Sequence, residues 1–230
     1  MTSGIEDFKR MAAERAVEFV ESGMVVGLGT GSTAVHATRA IGRMLQDGRL
    51  RDIVGIPTSE ATAAEAREFD IPLTTLDNHP VVDVTIDGAD EIDPSLNLIK
   101  GLGGALLREK VVAWSTKRFI IVSDYRKRVT QLGTRAPVPV EVIPFARSPI
   151  TRYLESLGGR VVERVRDGAV FITDEGNIIL DCHFDGIDDP VGLAQSISVQ
   201  PGVVEHGMFL GMASLAVVAS PTGIDLLSRG

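Results

Sequence analysis

Three segments of this 230-residue sequence carry residue types and spacings suited to chemistry on a small anionic molecule. In Gly27-Leu28-Gly29-Thr30-Gly31-Ser32-Thr33, glycines let the backbone approach a ligand. Hydroxyls and the free N–H groups of a following helix favour an anion there. The loop has no Walker A lysine, and Ser32 stands where a dinucleotide fingerprint has its third glycine. A tight strand-to-helix turn with a hydroxyl cap accounts for the same residues without a ligand. The second segment, Asp87-Gly88-Ala89-Asp90-Glu91-Ile92-Asp93, sets four acids directly after an apolar run. Carboxylates so clustered suit Mg²⁺ or Ca²⁺, but the EF-hand spacing is absent. A solvated acidic loop explains Glu91 and Asp93 better than Asp87 and Asp90, which sit at the strand end. The third, Lys100-Gly101-Leu102-Gly103-Gly104-Ala105, runs into a helix bearing Arg108-Glu109-Lys110. An ammonium and open backbone can meet one ligand there, and Glu109, about one turn into the helix, points back toward the glycines. An exposed helix acid is the bland alternative for Glu109, and Arg108 and Lys110 read as solvated.

Other reactive residues form no pattern. His36, His79, His183 and His206 lack metal-ligand spacing, and no serine sits in a G-x-S-x-G elbow. Cys182, the only cysteine, falls in a strand pattern and reads as a packed thiol.

The elements that must position these segments alternate. Ser3 and Glu6 form a capping-box pattern before a helix with Ile5, Phe8, Ala12, Ala16 and Phe19 apolar. Strands are predicted at Met24–Leu28, Ile53–Ile56, Val81–Ile86 and Phe119–Val122, with helices at Thr33–Leu45, from Glu60 to Phe69 and from Ala105 to Ser115. Short apolar strands separated by helices imply parallel β-α-β units. Ligands bind such a sheet beyond the carboxyl ends of its strands, here the loops Gly29–Thr33, Thr58–Glu60, Asp87–Glu91 and Ser123–Lys127. The later pattern differs. A strand at Val138–Ile143 precedes a helix at Ile150–Leu157, a strand at Arg160–Val165 and a hairpin from Val170 to Phe184 turning at Asp174–Asn177. A helix at Pro190–Val199 and a strand at Val203–Met208 complete a β-α-β-β-α-β order, the split ferredoxin-like arrangement. Ser214–Ala219 is expected to return to the first sheet. The boundaries follow: residues 1–131 with 209–230 form a Rossmann-like catalytic domain, and 132–208 an inserted ferredoxin-like α/β domain.

Composition bounds the function. With 23 basic and 31 acidic side chains the formal charge is −8, which disfavours a nucleic-acid partner. Apolar residues at 44% and charged residues at 23% are those of a globular chain, not a disordered one. The charged N-terminus has no signal-peptide h-region and no apolar run is long enough to span a bilayer, so no membrane association is expected. One cysteine fits a reducing compartment, and the expectation is a soluble cytoplasmic protein.

GTGSTA (29–34), DGADEID (87–93), KGLGGALLREK (100–110), VEVIP (140–144), DEGNIILD (174–181) and PGVVEHGMF (201–209) together resemble the A-type ribose-5-phosphate isomerases in order and spacing, over essentially the whole chain. The resemblance implies a Rossmann-like, doubly wound, mostly parallel sheet with a ferredoxin-like insert, assembled as a homodimer or dimer of dimers. It also implies that the phosphorylated pentose ribose 5-phosphate is interconverted with ribulose 5-phosphate without cofactor or metal. By resemblance Glu109 is the proton-transferring base, while Asp87, Asp90 and Lys100 hold and polarise the sugar oxygens. Thr30, Gly31, Ser32 and Thr33 match the substrate loop, with Gly88, Ala89, Gly101, Leu102 and Gly103 in the same binding set. Lys127 matches a basic substrate contact and Lys9 a phosphate-contacting lysine. The sequence departs at Leu102, glycine in some members, and at Arg126, serine in others. Aldose–ketose isomerisation needs a base and a donor network around an enediolate, and this set supplies both. A sugar-phosphate-sensing regulator would need a helix-turn-helix, which the charge balance and N-terminus do not offer. A CoA transferase would use a nucleophilic Glu and a Schiff-base enzyme a nucleophilic Lys, for which a borohydride-trapped adduct at Lys100 would speak.

Overall fold

The structure, a computed structural model, describes residues 4–229. Its elements run α1 (Ile5–Val17), β1 (Val25–Leu28), α2 (Ala34–Gln46), β2 (Val54–Pro57), α3 (Glu60–Glu68), β3 (Val82–Gly88), β4 (Glu91–Ile92), β5 (Leu98–Ile99), α4 (Leu106–Trp114) and β6 (Thr116–Asp124). They continue with β7 (Val138–Val142), α5 (Arg147–Ser156), β8 (Arg160–Glu163), β9 (Val165–Arg166), β10 (Ala169–Val170), β11 (Ile178–His183), α6 (Pro190–Ser198), β12 (Val203–His206), β13 (Met208–Phe209), β14 (Leu215–Ser220) and β15 (Gly223–Ser228). Ser3, expected to cap α1, lies outside the described residues; Gly4 donates its N–H to Asp7 Oδ2 at 3.0 Å.

The chain divides into two compact units, the first comprising residues through Ala89, Arg108–Lys127 and those from Met212 onward. Its sheet is ordered β15-β14-β6-β3-β1-β2, parallel throughout except for the β14–β15 edge hairpin. Central strands buried on both faces must be apolar throughout, and Phe119–Val122 and Leu215–Ala219 are. α1 buries Phe8, Ala12, Ala13, Ala16 and Val17 on one stripe, in the same core as Val26, Leu28, Val84 and Ile86. From β1 the chain moves outward to β2, then returns to β3 on the other side of β1. That reversal is a topological switch point, where the ends of adjacent strands leave a crevice.

The second unit comprises Asp90–Leu107 and Arg128–Gly211. Its antiparallel sheet is ordered β12-β7-β11-β8, which with α5 and α6 is the ferredoxin-like pattern. Residues 90–107, assigned by sequence to the first domain, belong here instead. β5 pairs with β4 and β13, and the Lys100 N–H donates to Gly207 O at 2.8 Å. Glu91, read as solvated, is buried and accepts backbone N–H groups from Gly133, Arg135 and Ala136 at 2.6–2.8 Å. The expected 170–184 hairpin is only an Ile172–Ile178 bridge; β10 pairs with β9, and β11 lies between β7 and β8.

Candidate active site

At the switch point of the first unit, two strand ends are locked together. The Gly29 N–H donates to Ile86 O at 3.0 Å, and the Thr30 N–H donates to Asp87 Oδ1 at 3.1 Å. Asp87 is fully buried, and the same oxygen also accepts the Gly88 N–H at 2.7 Å. A Cβ on Gly29 would lie 2.4 Å from Asp87 Oδ1, so only glycine admits this carboxylate. Gly31, at φ +112°, turns the chain into α2, leaving Gly31 and Ser32 exposed and Thr33 half-buried. The Thr30 hydroxyl faces the entrance of α3 rather than solvent. Its Oγ1 lies 2.7 Å from Thr58 Oγ1, donates to Ser59 Oγ at 2.8 Å and lies 3.1 Å from Thr62 Oγ1. Thr62 in turn donates to Gly29 O at 3.1 Å, so α3 braces the loop. A groove opens between Gly29–Ser32 and the first turns of α2 and α3.

Glu109 stands in the first turn of α4 and is only 3% exposed. Helix N-terminal N–H groups favour carboxylate there, while burial opposes charge. Arg108, beside it, pairs with Glu60 at 2.8 Å. Lys127 is half-buried on the short turn after β6. Before it, Arg126 donates from Nε to buried Asp124 Oδ1 at 2.7 Å, so this departure from the family pattern fixes the turn's first residues. Lys9 is engaged within its own helix, Nζ to Glu6 Oε1 at 2.6 Å. Burial pushes the Cys182 thiol up to about 12, so it is inert.

Ala89 closes the first unit's run, and the second unit holds Asp90 and the Lys100–Gly104 segment. Asp90 accepts the Leu102 N–H at Oδ2, 3.0 Å away, and donates its own N–H to Ile99 O. Lys100 is 2% exposed, its Nζ 5.4 Å from the centroid of Phe209. An ammonium over a ring face is stabilised by the ring quadrupole. Gly101 and Gly104 take φ of +103° and +92°, while Leu102 and Gly103 are exposed. Among the described residues, no group of three or more His, Cys, Asp or Glu side chains is arranged to hold a metal ion.

Residues 54–223 match the family model for ribose 5-phosphate isomerase A (phosphoriboisomerase A). The chain belongs to that family. It is 60% identical over 218 residues to the ribose-5-phosphate isomerase A of Roseiflexus castenholzii, covering 94% of this chain and 93% of the relative. A solved ribose 5-phosphate isomerase from Plasmodium falciparum superposes with a TM-score of 0.95 at 42% identity, covering 97% of this chain and 99% of that one. A D-ribose-5-phosphate isomerase in complex with phospho-erythronic acid gives 0.96 at 41% identity, covering 99% and 100%.

Within this ribose 5-phosphate isomerase A chain, each unit thus brings part of the expected set into direct contact: Asp87 with Thr30 and Gly88, and Asp90 with Leu102. What the motifs did not disclose is the support around them. Thr62 and Arg164 lie in no motif, and Asp181, which closes the DEGNIILD segment, was given no role by it. Only the loop Thr58–Glu60, lying at a parallel strand end, gave any signal.

Proposed function

We propose that Glu109 moves the proton between C2 and C1 as this chain, a member of the ribose 5-phosphate isomerase A family, interconverts D-ribose 5-phosphate and D-ribulose 5-phosphate. The observation that carries the assignment is a carboxylate 3% exposed in the first turn of the helix that follows the lysine–glycine loop. A carboxylate held beside the sugar can serve as the base that enolises it. Removal of the C2 proton from the open-chain aldose leaves an enediolate, and return of a proton to C1 gives the ketose. Lys100 opposes the charge developing on the oxygens, and Asp87 or Asp90 passes protons between O1 and O2. Thr30, Gly31, Ser32 and Thr33, with Gly88, Ala89, Gly101, Leu102 and Gly103, form the substrate-binding set. Thr30 serves this set by shaping the loop, since its hydroxyl is engaged at α3 and its N–H at Asp87. Lys127, with Lys9, serves the phosphate, which also requires Lys9 to leave or share Glu6. Phospho-erythronic acid, bound by a relative, has a carboxylate where the substrate has its reacting carbons, which suits such a donor set. The phosphorylated pentose is the partner; we further propose a cytoplasmic homodimer or dimer of dimers, for which sedimentation equilibrium should give two or four times 24.6 kDa.

The test is NMR of ribose 5-phosphate in D₂O with EDTA present. Ribulose 5-phosphate signals should appear, with solvent deuterium entering only at the carbons that exchange the proton. No conversion by folded protein would remove the isomerase assignment.

A further inference from the structure

The segment from Lys100 to Gly104 has little internal support. Gly101 and Gly104 both lie in the left-handed region, and one bond, Gly104 N–H to Gly101 O at 3.0 Å, closes the turn. Its carbonyls are gripped from the ferredoxin-like sheet of the same unit. Arg164 Nη1 donates to Gly101 O at 2.7 Å and to Leu102 O at 3.2 Å. The guanidinium's other edge is taken by Asp181, with Nε to Oδ2 at 2.9 Å and Nη2 to Oδ1. Arg164 is 8% exposed. A bidentate carboxylate fixes the guanidinium plane, and so the direction of the remaining donor. The carboxylate is itself held, since Asp181 sits within β11 opposite Pro139 of β7 and Val162 of β8. Arg164 follows β8, its backbone N–H donating to Ile179 O at 2.9 Å.

In a trans peptide the carbonyl and the next N–H point opposite ways. With the carbonyls of Gly101 and Leu102 turned to the guanidinium, the N–H groups of Leu102 and Gly103 turn away from it. The first donates to Asp90 Oδ2 at 3.0 Å. The second belongs to an exposed glycine. One arginine therefore sets two peptides, and through one of them an acid assigned to substrate.

We propose that Arg164, oriented by Asp181, is a positioning residue for the isomerisation, setting the Gly101 and Leu102 peptides so that Asp90 and the Gly103 N–H meet the sugar. The proposal rests on the function assigned above. Lysine cannot replace this arginine, because an ammonium offers its donors from one point and cannot span a carboxylate and two carbonyls.

The test uses the full chain, with kcat, KM and thermal unfolding measured for wild type, Arg164→Ala, Arg164→Lys and Asp181→Asn. Misplacing reacting groups by an ångström costs on the order of 10²-fold, so Arg164→Ala should lose roughly that much in kcat. KM should change far less. Millimolar guanidinium should restore part of the lost kcat in Arg164→Ala, and ethylammonium should not. Arg164→Lys should stay impaired, and Asp181→Asn should lose kcat in the same direction, less severely. Should Arg164→Ala fail to fold, Asp181→Asn decides. Wild-type kcat in whichever folded variant decides overturns the proposal. So does a kcat loss that follows lost thermal stability and does not respond to guanidinium. An inactive wild type would instead overturn the isomerase assignment and leave the clamp's geometry standing.

Discussion

A glutamate almost wholly removed from water has a cost that only a use or a partner offsets, and the first turn of α4 offers favourable dipole but not bulk solvent. Glu109→Gln keeps the shape and removes the base, so kcat should fall ~10²–10⁴-fold with KM little changed. Near-normal kcat in the folded variant would take Glu109 out of the mechanism. The two lysines are distinguished by burial. Lys100, at 2% exposure over Phe209, is the one we assign to the reacting end, and half-buried Lys127 the one we assign to the phosphate. Lys127→Ala should mainly raise KM, by the roughly 1.5–3 kcal/mol of one charge-assisted hydrogen bond. Lys100→Ala should act chiefly on kcat. Steady-state kinetics of both variants separate the roles, and an equal kcat loss with KM untouched in Lys127→Ala would merge them.

At the scale of elements, α3 is more than a connection between strands. Ser59 caps it by accepting the Thr62 N–H at 3.0 Å, and its hydroxyl also receives Thr30. Ser59→Ala should cost about 1 kcal/mol of stability, as lost caps do. It should also raise KM, because Thr30 loses a tether of the substrate loop. Urea midpoints and KM measured together check this; lower stability with KM unchanged would confine Ser59 to capping. The same scale shows what sequence could disclose. Runs such as Phe119–Val122 announce buried parallel strands, and Ser214–Ala219, expected to return to the first sheet, does so, where β14 pairs with β6. By contrast β4, β5 and β13, of two residues each, are too short to show any periodicity, so residues 90–107 carried no sign of the unit they join. Glu91 looked like one acid among four because its partners, the N–H groups of Gly133, Arg135 and Ala136, belong to no side-chain pattern. Arg164 was equally silent: it lies in an ordinary alternation of charged and apolar residues, far in sequence from Gly101.

At the scale of the molecule, carboxylates in different surroundings make stability depend on pH in opposite senses. In the first unit Asp83 is held below its ordinary value by the Lys117 ammonium, with the Val25 N–H adding to it. Burial works against the charge on Asp124, but Arg126 outweighs it and the net shift is downward. A lowered carboxyl contributes stability that is present above about 3.9 and lost as pH falls through the folded value. Glu141, in the second unit, behaves the other way. Burial lifts it, the bonds from Asn177 and Thr173 only partly offset this, and the charges of Glu175 and Glu205 add to the rise. A raised carboxyl contributes stability fully present below about 4.3 and lost as pH rises through the folded value. Between pH 8 and 5 the two aspartates stay charged and contribute a constant, while Glu141 becomes easier to bury as pH falls through its raised folded value. General repulsion in a chain of charge −8 relaxes over the same interval, so the wild-type slope alone proves nothing. The difference from Glu141→Gln isolates the residue, since that substitution leaves every other charge in place. Thermal unfolding should show wild-type Tm rising more steeply than that of Glu141→Gln as pH falls from 8 toward about 4.3. Their difference should level off below about pH 4.3, where Glu141 is protonated folded and unfolded alike. Parallel curves from pH 8 down to about 4.3 would mean that Glu141 is buried at no electrostatic cost, and that Thr173 and Asn177 fully compensate its charge.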